Sequence, residues 1–168
     1  MNNPAGSSIG RLRRGARVAA VQALYQLEFG NEPVESVIAD FSGHRLGDTE
    51  PPTAPSEIDM TLFADIVRGA TGDRPRLDGF LNDALDKDRR LDRLEVLMRV
   101  ILRAGAYELH DRDDIDSALT INEYVAVADA FFNEREPALV NAVLDRVARH
   151  RKQQTNTVDG THDAGSDG

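Results

Sequence analysis

The stretch D-R-L-E-V-L-M-R-V-I-L-R-A-G-A-Y-E-L-H, residues 92–110, decides the fold class. Leu94, Leu97, Met98, Ile101, Leu102 and Leu109 recur at three- and four-residue spacing, which lines them up along one stripe of an α-helix. Asp111–Asp114 interrupts the pattern. A further helix is expected over about Asp116–Phe132, and Pro137 opens another whose Leu139, Val140, Val143, Leu144 and Val147 point inward. Towards the N-terminus, Asp73 and Pro75 begin a helix with Leu77, Phe80, Leu81 and Leu85 on its apolar side. Ser56 and Asp59 resemble a weak capping box for a helix that buries Ile58, Leu62 and Ile66, with Phe63 a further candidate, and stops near Gly72. A short helix starts at Pro33, and the first runs from about Gly10 to Phe29, with Val18, Val21, Tyr25 and Phe29 in phase. Gly43–Pro55, with three prolines and two glycines, reads as a loop. No period-two run and no internal repeat occurs. The expectation is an all-α protein of about seven helices, packed as helix pairs and triplets.

The chain has 168 residues, 40% of them hydrophobic, enough to fill one core. Residues 9–150 are expected to form a single helical domain. The polar segments 1–8 and 151–168 are expected to be disordered tails, because they hold too little apolar surface to offset the entropy of ordering. There is no cysteine, which excludes disulfides, thiolate metal sites and cysteine nucleophiles. No segment is apolar enough to span a membrane and no secretory signal is visible, so a cytoplasmic protein is expected.

The net charge of −9 argues against a general nucleic-acid coat, but the charge is unevenly placed. Residues 1–27 contain Arg11, Arg13, Arg14 and Arg17 and no acid, whereas the rest of the chain is strongly acidic. Lysine occurs only at Lys87 and Lys152, and arginine is the better residue for bidentate phosphate contacts and for stacking on bases. Arginines at the start of a helix oppose its dipole, which points to an anionic partner there. Arg14 and Arg17 share a helical face, and Arg13 and Arg17 lie four apart. A solvated helix start without a ligand is the plainer alternative. Tyr25 is expected in the core with its hydroxyl at the rim.

Phe131 and Phe132 cannot both face a core from adjacent helical positions. If Ile121, Val125, Ala128 and Phe132 mark the inner face, Phe131 is turned to a margin where it could stack on an unpaired base, a contact worth ~1–3 kcal/mol. With Tyr124, Val127 and Phe131 inward, the roles exchange. Packing against a neighbouring helix accounts for Phe131 equally well. Asn122 and Asn141 sit inside apolar runs, and helix–helix hydrogen bonding is expected for both. None of His44, His110, His150 and His162 pairs with a carboxylate at helical spacing in a core-facing run. No HExxH, GxSxG or Gly-rich phosphate loop is present. No catalytic residue, metal site or cofactor is therefore expected, and the protein is not expected to be an enzyme.

Four segments taken in order resemble the NusB family of bacterial transcription antitermination factors: R-R-G-A-R-V-A-A-V-Q-A-L-Y-Q-L-E, I-L-R-A-G-A-Y-E-L, I-N-E-Y-V-A-V-A-D-A-F-F and L-V-N-A-V-L-D-R-V-A-R. Together they extend over about residues 11–150. The resemblance implies two small packed helical bundles. It implies binding to single-stranded boxA RNA of nascent ribosomal transcripts, together with the small-subunit ribosomal protein that doubles as NusE. The pair would join an RNA polymerase complex that resists premature, Rho-dependent termination. By motif position, Arg13, Arg14 and Arg17 would contact RNA and Phe131 would lie beside it. The outer face around Asp92, Glu95 and Arg99 would meet the NusE-type partner, and an empty partner face leaves self-pairing into a homodimer open. Three phosphates neutralised by these arginines would give a log–log salt slope of roughly −2. Three positions depart from the family pattern: F-F stands where F-G is frequent, Ala138 stands where a lysine is common, and Gly15 stands where another basic residue can occur. A helical adaptor that binds only proteins is one alternative. A detached relative of the helical domain that precedes some RNA cytosine methyltransferases is another.

Overall fold

The structure is a computed structural model that describes residues 4–44, 57–133 and 135–159. Seven α-helices and one 3₁₀ turn occur among them, with no strand: α1 (Pro4–Phe29), α2 (Val34–His44), α3 (Met60–Gly72), α4 (Arg74–Ala84), the 3₁₀ turn Leu91–Arg93, α5 (Val96–Asp111), α6 (Ser117–Phe131) and α7 (Arg135–Asp159). Side-chain caps set three of the starts. Asp59 accepts from the backbone N–H of Leu62, Asp73 from that of Arg76, and Asp116 from that of Leu119. Each satisfies a donor that the first helical turn leaves without a partner.

Helices α1–α3 pack on one another, and α4–α7 form a second group. The run that decides the fold class joins them, because α5 touches α1, α3, α4, α6 and α7. Its Met98, Val100, Ile101, Leu102 and Leu109 are buried in an apolar cluster to which both groups contribute. The long run expected from Asp92 is divided. Arg90 and Leu94 are extended, Leu91–Arg93 forms the 3₁₀ turn, and the α-helix begins only at Val96.

The inner face of α1 differs from the expected stripe. Ala16, Ala19, Ala20 and Ala23 are fully buried with Val21 and Leu24, whereas Tyr25 and Phe29 are 41% and 67% exposed. The two aromatic rings meet edge to face outside the core, at 4.9 Å between centroids. Small side chains let α1 lie close against α3 and α5, a preference that a search for large apolar residues misses. Asn122 and Asn141 are likewise exposed, not bonded between helices. The polar residues that α6 does bury are Thr120 and Glu123.

The expected tails are corrected where they are described: residues 4–8 belong to α1 and 151–159 to α7. Extending an existing helix fixes one residue per hydrogen bond, so it needs little burial once a nucleus exists. Residues 1–3 and 160–168 lie outside the described residues. Of the expected loop Gly43–Pro55, Gly43 and His44 end α2 and the remainder also lies outside them.

Helix α3 reaches α5 through a glycine. A Cβ built on Gly69 would stand 2.0 Å from Cε2 of Tyr107. The ring cannot easily retreat, because its hydroxyl donates to Asp65 Oδ1 at 2.9 Å and Arg112 holds the same carboxylate. Gly69→Ala gains about 1 kcal/mol of helix propensity, but the overlap costs about 3 kcal/mol. The expected result is a lower urea midpoint with an unchanged slope. A midpoint at or above the wild-type value would show that the ring steps aside.

Candidate nucleic-acid interface

The arginine-rich segment lies well inside α1, not at its start, because the helix begins at Pro4. Dipole effects fade within the first turn, so the expected conflict between these arginines and the helix N-terminus does not arise. What fixes the segment is tertiary. Arg17 is 2% exposed. Its Nε and Nη2 donate to the two carboxylate oxygens of Glu108 on α5, both at 2.9 Å. Burial alone would disfavour the Arg17 charge, and Glu108 more than restores it. Beside this pair, burial and the Glu108 charge keep the fully enclosed Tyr124 phenol protonated. Arg17 is therefore corrected from an RNA contact to an internal tie between α1 and α5. A guanidinium this deeply buried, with its Nε and Nη2 edge engaged by Glu108, offers no surface to a phosphate.

Arg14 and Arg13 remain at the surface. Arg14 donates through Nε and Nη2 to Glu123 of α6 at 3.0 and 2.9 Å, with its side chain 64% exposed and that of Glu123 10% exposed. The Arg14 guanidinium holds the Glu123 carboxyl below the usual range, against the opposing effect of burial, and Arg17 adds to it. Arg13 is half-buried and reaches Asp59 only at 4.0 Å. The expected bare basic tip is thus already partly neutralised by carboxylates of the same chain.

Glu123 connects this end of α1 to α6, and α6 leads to the aromatic pair. Eight residues on, about 12 Å along the helix axis, Phe131 is 46% exposed. Phe132 ends the helix and packs partly against the core. Of the two helical phases, Phe132 inward and Phe131 outward holds at the end of α6, while Tyr124 and Val127 are buried further back.

Phe132 also lines a groove of about 290 Å³ between the segment before α5 and the start of α7. Arg89, Arg93 and Arg135 line it together with Leu94, Met98 and Leu139. Among the described residues most arginines carry a carboxylate within 4.0 Å. Those that do not are Arg11, Arg89, Arg93, Arg99 and Arg135, and three of them line this one groove. Glu136 also lines it, and its Oε2 is buried without a hydrogen-bond partner. Guanidinium groups without an ion pair and an apolar floor suit a ligand with phosphates and flat bases.

Sequence reasoning missed these arginines because they come from two separate segments, each with acids nearby in the chain. The signal was spatial: which arginines lack an acid after folding. Asp92, Glu95 and Arg99 do gather before and within the first turn of α5. Arg99 Nη1 donates to the Asp92 carbonyl at 3.5 Å, Asp92 also pairs with Arg90, and Glu95 lies on the groove margin. The Nε of Arg99 is buried without a partner. Among the described residues no cluster of three or more His, Asp or Glu is placed to hold a metal ion.

Comparison with known proteins adds to this geometry. The profile of the NusB family matches residues 14–149. A transcription antitermination protein NusB of Sinorhizobium fredii is 46% identical over 137 residues, covering 82% of this chain and 86% of the relative. That of Nitrobacter hamburgensis is 44% identical over 138 residues, with the same coverage. Among solved structures, NusB of T. maritima superposes with a TM-score of 0.68 at 28% identity, over 93% of this chain and 99% of that one. A chain from a complex of antitermination factors NusB and NusE with double-stranded RNA gives 0.68 at 21% identity, over 83% and 98%. This second likeness bears on the fold alone.

Proposed function

The chain belongs to the NusB family, and from that premise we propose that it is a transcription antitermination factor. It binds single-stranded boxA RNA of nascent ribosomal transcripts jointly with a NusE-type ribosomal protein, and it acts in the cytoplasm within an RNA polymerase complex that resists Rho-dependent termination. The protein does no chemistry on the RNA. Residues 9–150 act as one binding unit. None of the described helices is long and apolar enough to cross a membrane, in keeping with that role.

One observation carries the reading: three arginines with no carboxylate of the described residues within 4.0 Å line one groove with Phe132, the chain neighbour of the exposed Phe131, on a chain of net charge −9. RNA phosphates engage Arg13, the outer edge of Arg14 and the groove arginines. Phe131 offers its exposed ring to an unpaired base. The acidic remainder of the surface repels RNA at other places, which limits non-specific attachment. The face around Asp92, Glu95 and Arg99 meets the NusE-type partner. It borders the groove at Glu95, so a partner seated there extends the RNA surface without rearranging it. Without the partner, the same face is available for self-pairing.

Two adjoining surfaces bind one strand more tightly than either alone, because the second contact becomes intramolecular. Fluorescence anisotropy with a boxA oligonucleotide is therefore expected to show at least about tenfold tighter binding to the equimolar pair than to this chain alone. Equal affinity with and without the partner would count against joint recognition. Failure of both to bind would leave only the protein-binding adaptor.

A further inference from the structure

We propose that Glu123 sets how much of the Arg14 charge reaches RNA: it is a carboxylate of the protein's own that shares this guanidinium with an incoming phosphate. The inference rests on the RNA-binding reading above and deepens it at one residue.

The pair is asymmetric. Glu123 is held in the protein, with its side chain 10% exposed, and Arg14 lies outside it at 64%. The carboxylate is fixed from behind, since α6 packs on α1 and Arg17 lies close enough to favour its ionised form. The acid therefore stays charged and in place when RNA arrives. The fork to Glu123 uses Nε and Nη2 of Arg14. Nη1 and the outer edge of the guanidinium still face solvent and offer a second bidentate edge. A phosphate can dock there without expelling Glu123. It then shares one cation with another anion a few ångströms away, and the attraction is smaller than a free arginine would give. Arg14, Arg17, Glu108 and Glu123 together sum to zero charge, so this end of α1 holds RNA less firmly than its four arginines imply. Glu123 touches no RNA in this arrangement and acts only through Arg14.

The test is the salt dependence of binding, measured by anisotropy for the full chain with its NusE-type partner and a boxA RNA oligonucleotide. Glu123→Gln keeps a hydrogen-bond acceptor for Arg14 and removes the charge. Its affinity is expected to rise about threefold or more at low salt, and the log–log salt slope is expected to steepen by a measurable part of about 0.7, the share of one phosphate contact that Glu123 had offset. Neither change should occur when Glu123→Gln is added to Arg14→Gln. A role confined to stability would move the melting curve and leave the slope unchanged. Wild-type affinity and slope in a folded Glu123→Gln protein would overturn the proposal, as would a gain that persists without Arg14. Should Glu123→Gln fail to fold, Arg14→Gln decides. A slope lowered by clearly less than about 0.7 supports a shared cation, and the full decrease overturns it. A wild-type complex that binds no RNA ends the antitermination reading and this proposal together, whereas a binding wild type with an unresponsive Glu123→Gln ends the proposal alone.

Discussion

Arg17→Ala is expected to destabilise the protein by about 3–5 kcal/mol, the cost of leaving a buried charge without its partner. Glu108 would be the stranded group, because it is 1% exposed and both its oxygens are engaged by Arg17. A loss of this size is a large part of the stability of an ordinary domain. Urea or thermal unfolding followed by circular dichroism measures it directly. The double variant Arg17→Met with Glu108→Leu removes both charges and keeps most of the volume, so it should recover much of the loss. The pair of experiments separates an internal tie from a ligand contact. A folded Arg17→Ala protein with wild-type melting but greatly weakened RNA binding would return Arg17 to the RNA surface and contradict its burial.

The second large effect is expected at the groove. Replacing Arg89, Arg93 and Arg135 together by Gln should weaken boxA RNA binding roughly a thousandfold, with each contributing a charge-assisted hydrogen bond of about 1.5 kcal/mol. The salt slope should flatten by about 2, as three phosphate contacts disappear. Melting should change little, because none of the three carries an ion pair among the described residues, and surface changes away from such contacts are usually small. Arginine is the informative residue to test here, since lysine in its place would keep the charge and lose the planar fork. Unchanged affinity and slope in the triple variant would remove the groove from the interface and leave Arg13 and Arg14 of α1 with Phe131 to carry recognition.

The outcome at individual residues follows from what each depends on. Helix existence depends on local spacing. The Leu97–Leu109 part of the stripe, the helix starts near Asp73 and Asp116, and the Pro near the start of α7 were all legible, whereas Leu94 falls before the helix expected of it. Helix rotation depends on neighbours. Tyr25 and Phe29 fit an apolar stripe by size, yet alanines face inward on α1, because the closest approach of two helices favours the smallest side chains. Phe131 was legible as one of two phases, and only the packing of Phe132 chooses between them.

Charge divides in the same way. Composition and the order of motifs already determined an all-α chain with its basic residues concentrated in arginine, and the family resemblance followed from four short strings. The sequence also showed four arginines near the N-terminus, but a count of charges along a chain cannot say which ones are cancelled across space. The tertiary structure decided that Arg17 is enclosed with Glu108, that Arg14 shares its charge with Glu123, and that Arg89, Arg93 and Arg135 line one groove with no carboxylate of the described residues within 4.0 Å of any of them. Glu108 lies 91 residues from Arg17 and Glu123 lies 109 from Arg14. Electrostatic attraction depends on distance and on the surrounding medium, and folding sets both; sequence separation sets neither.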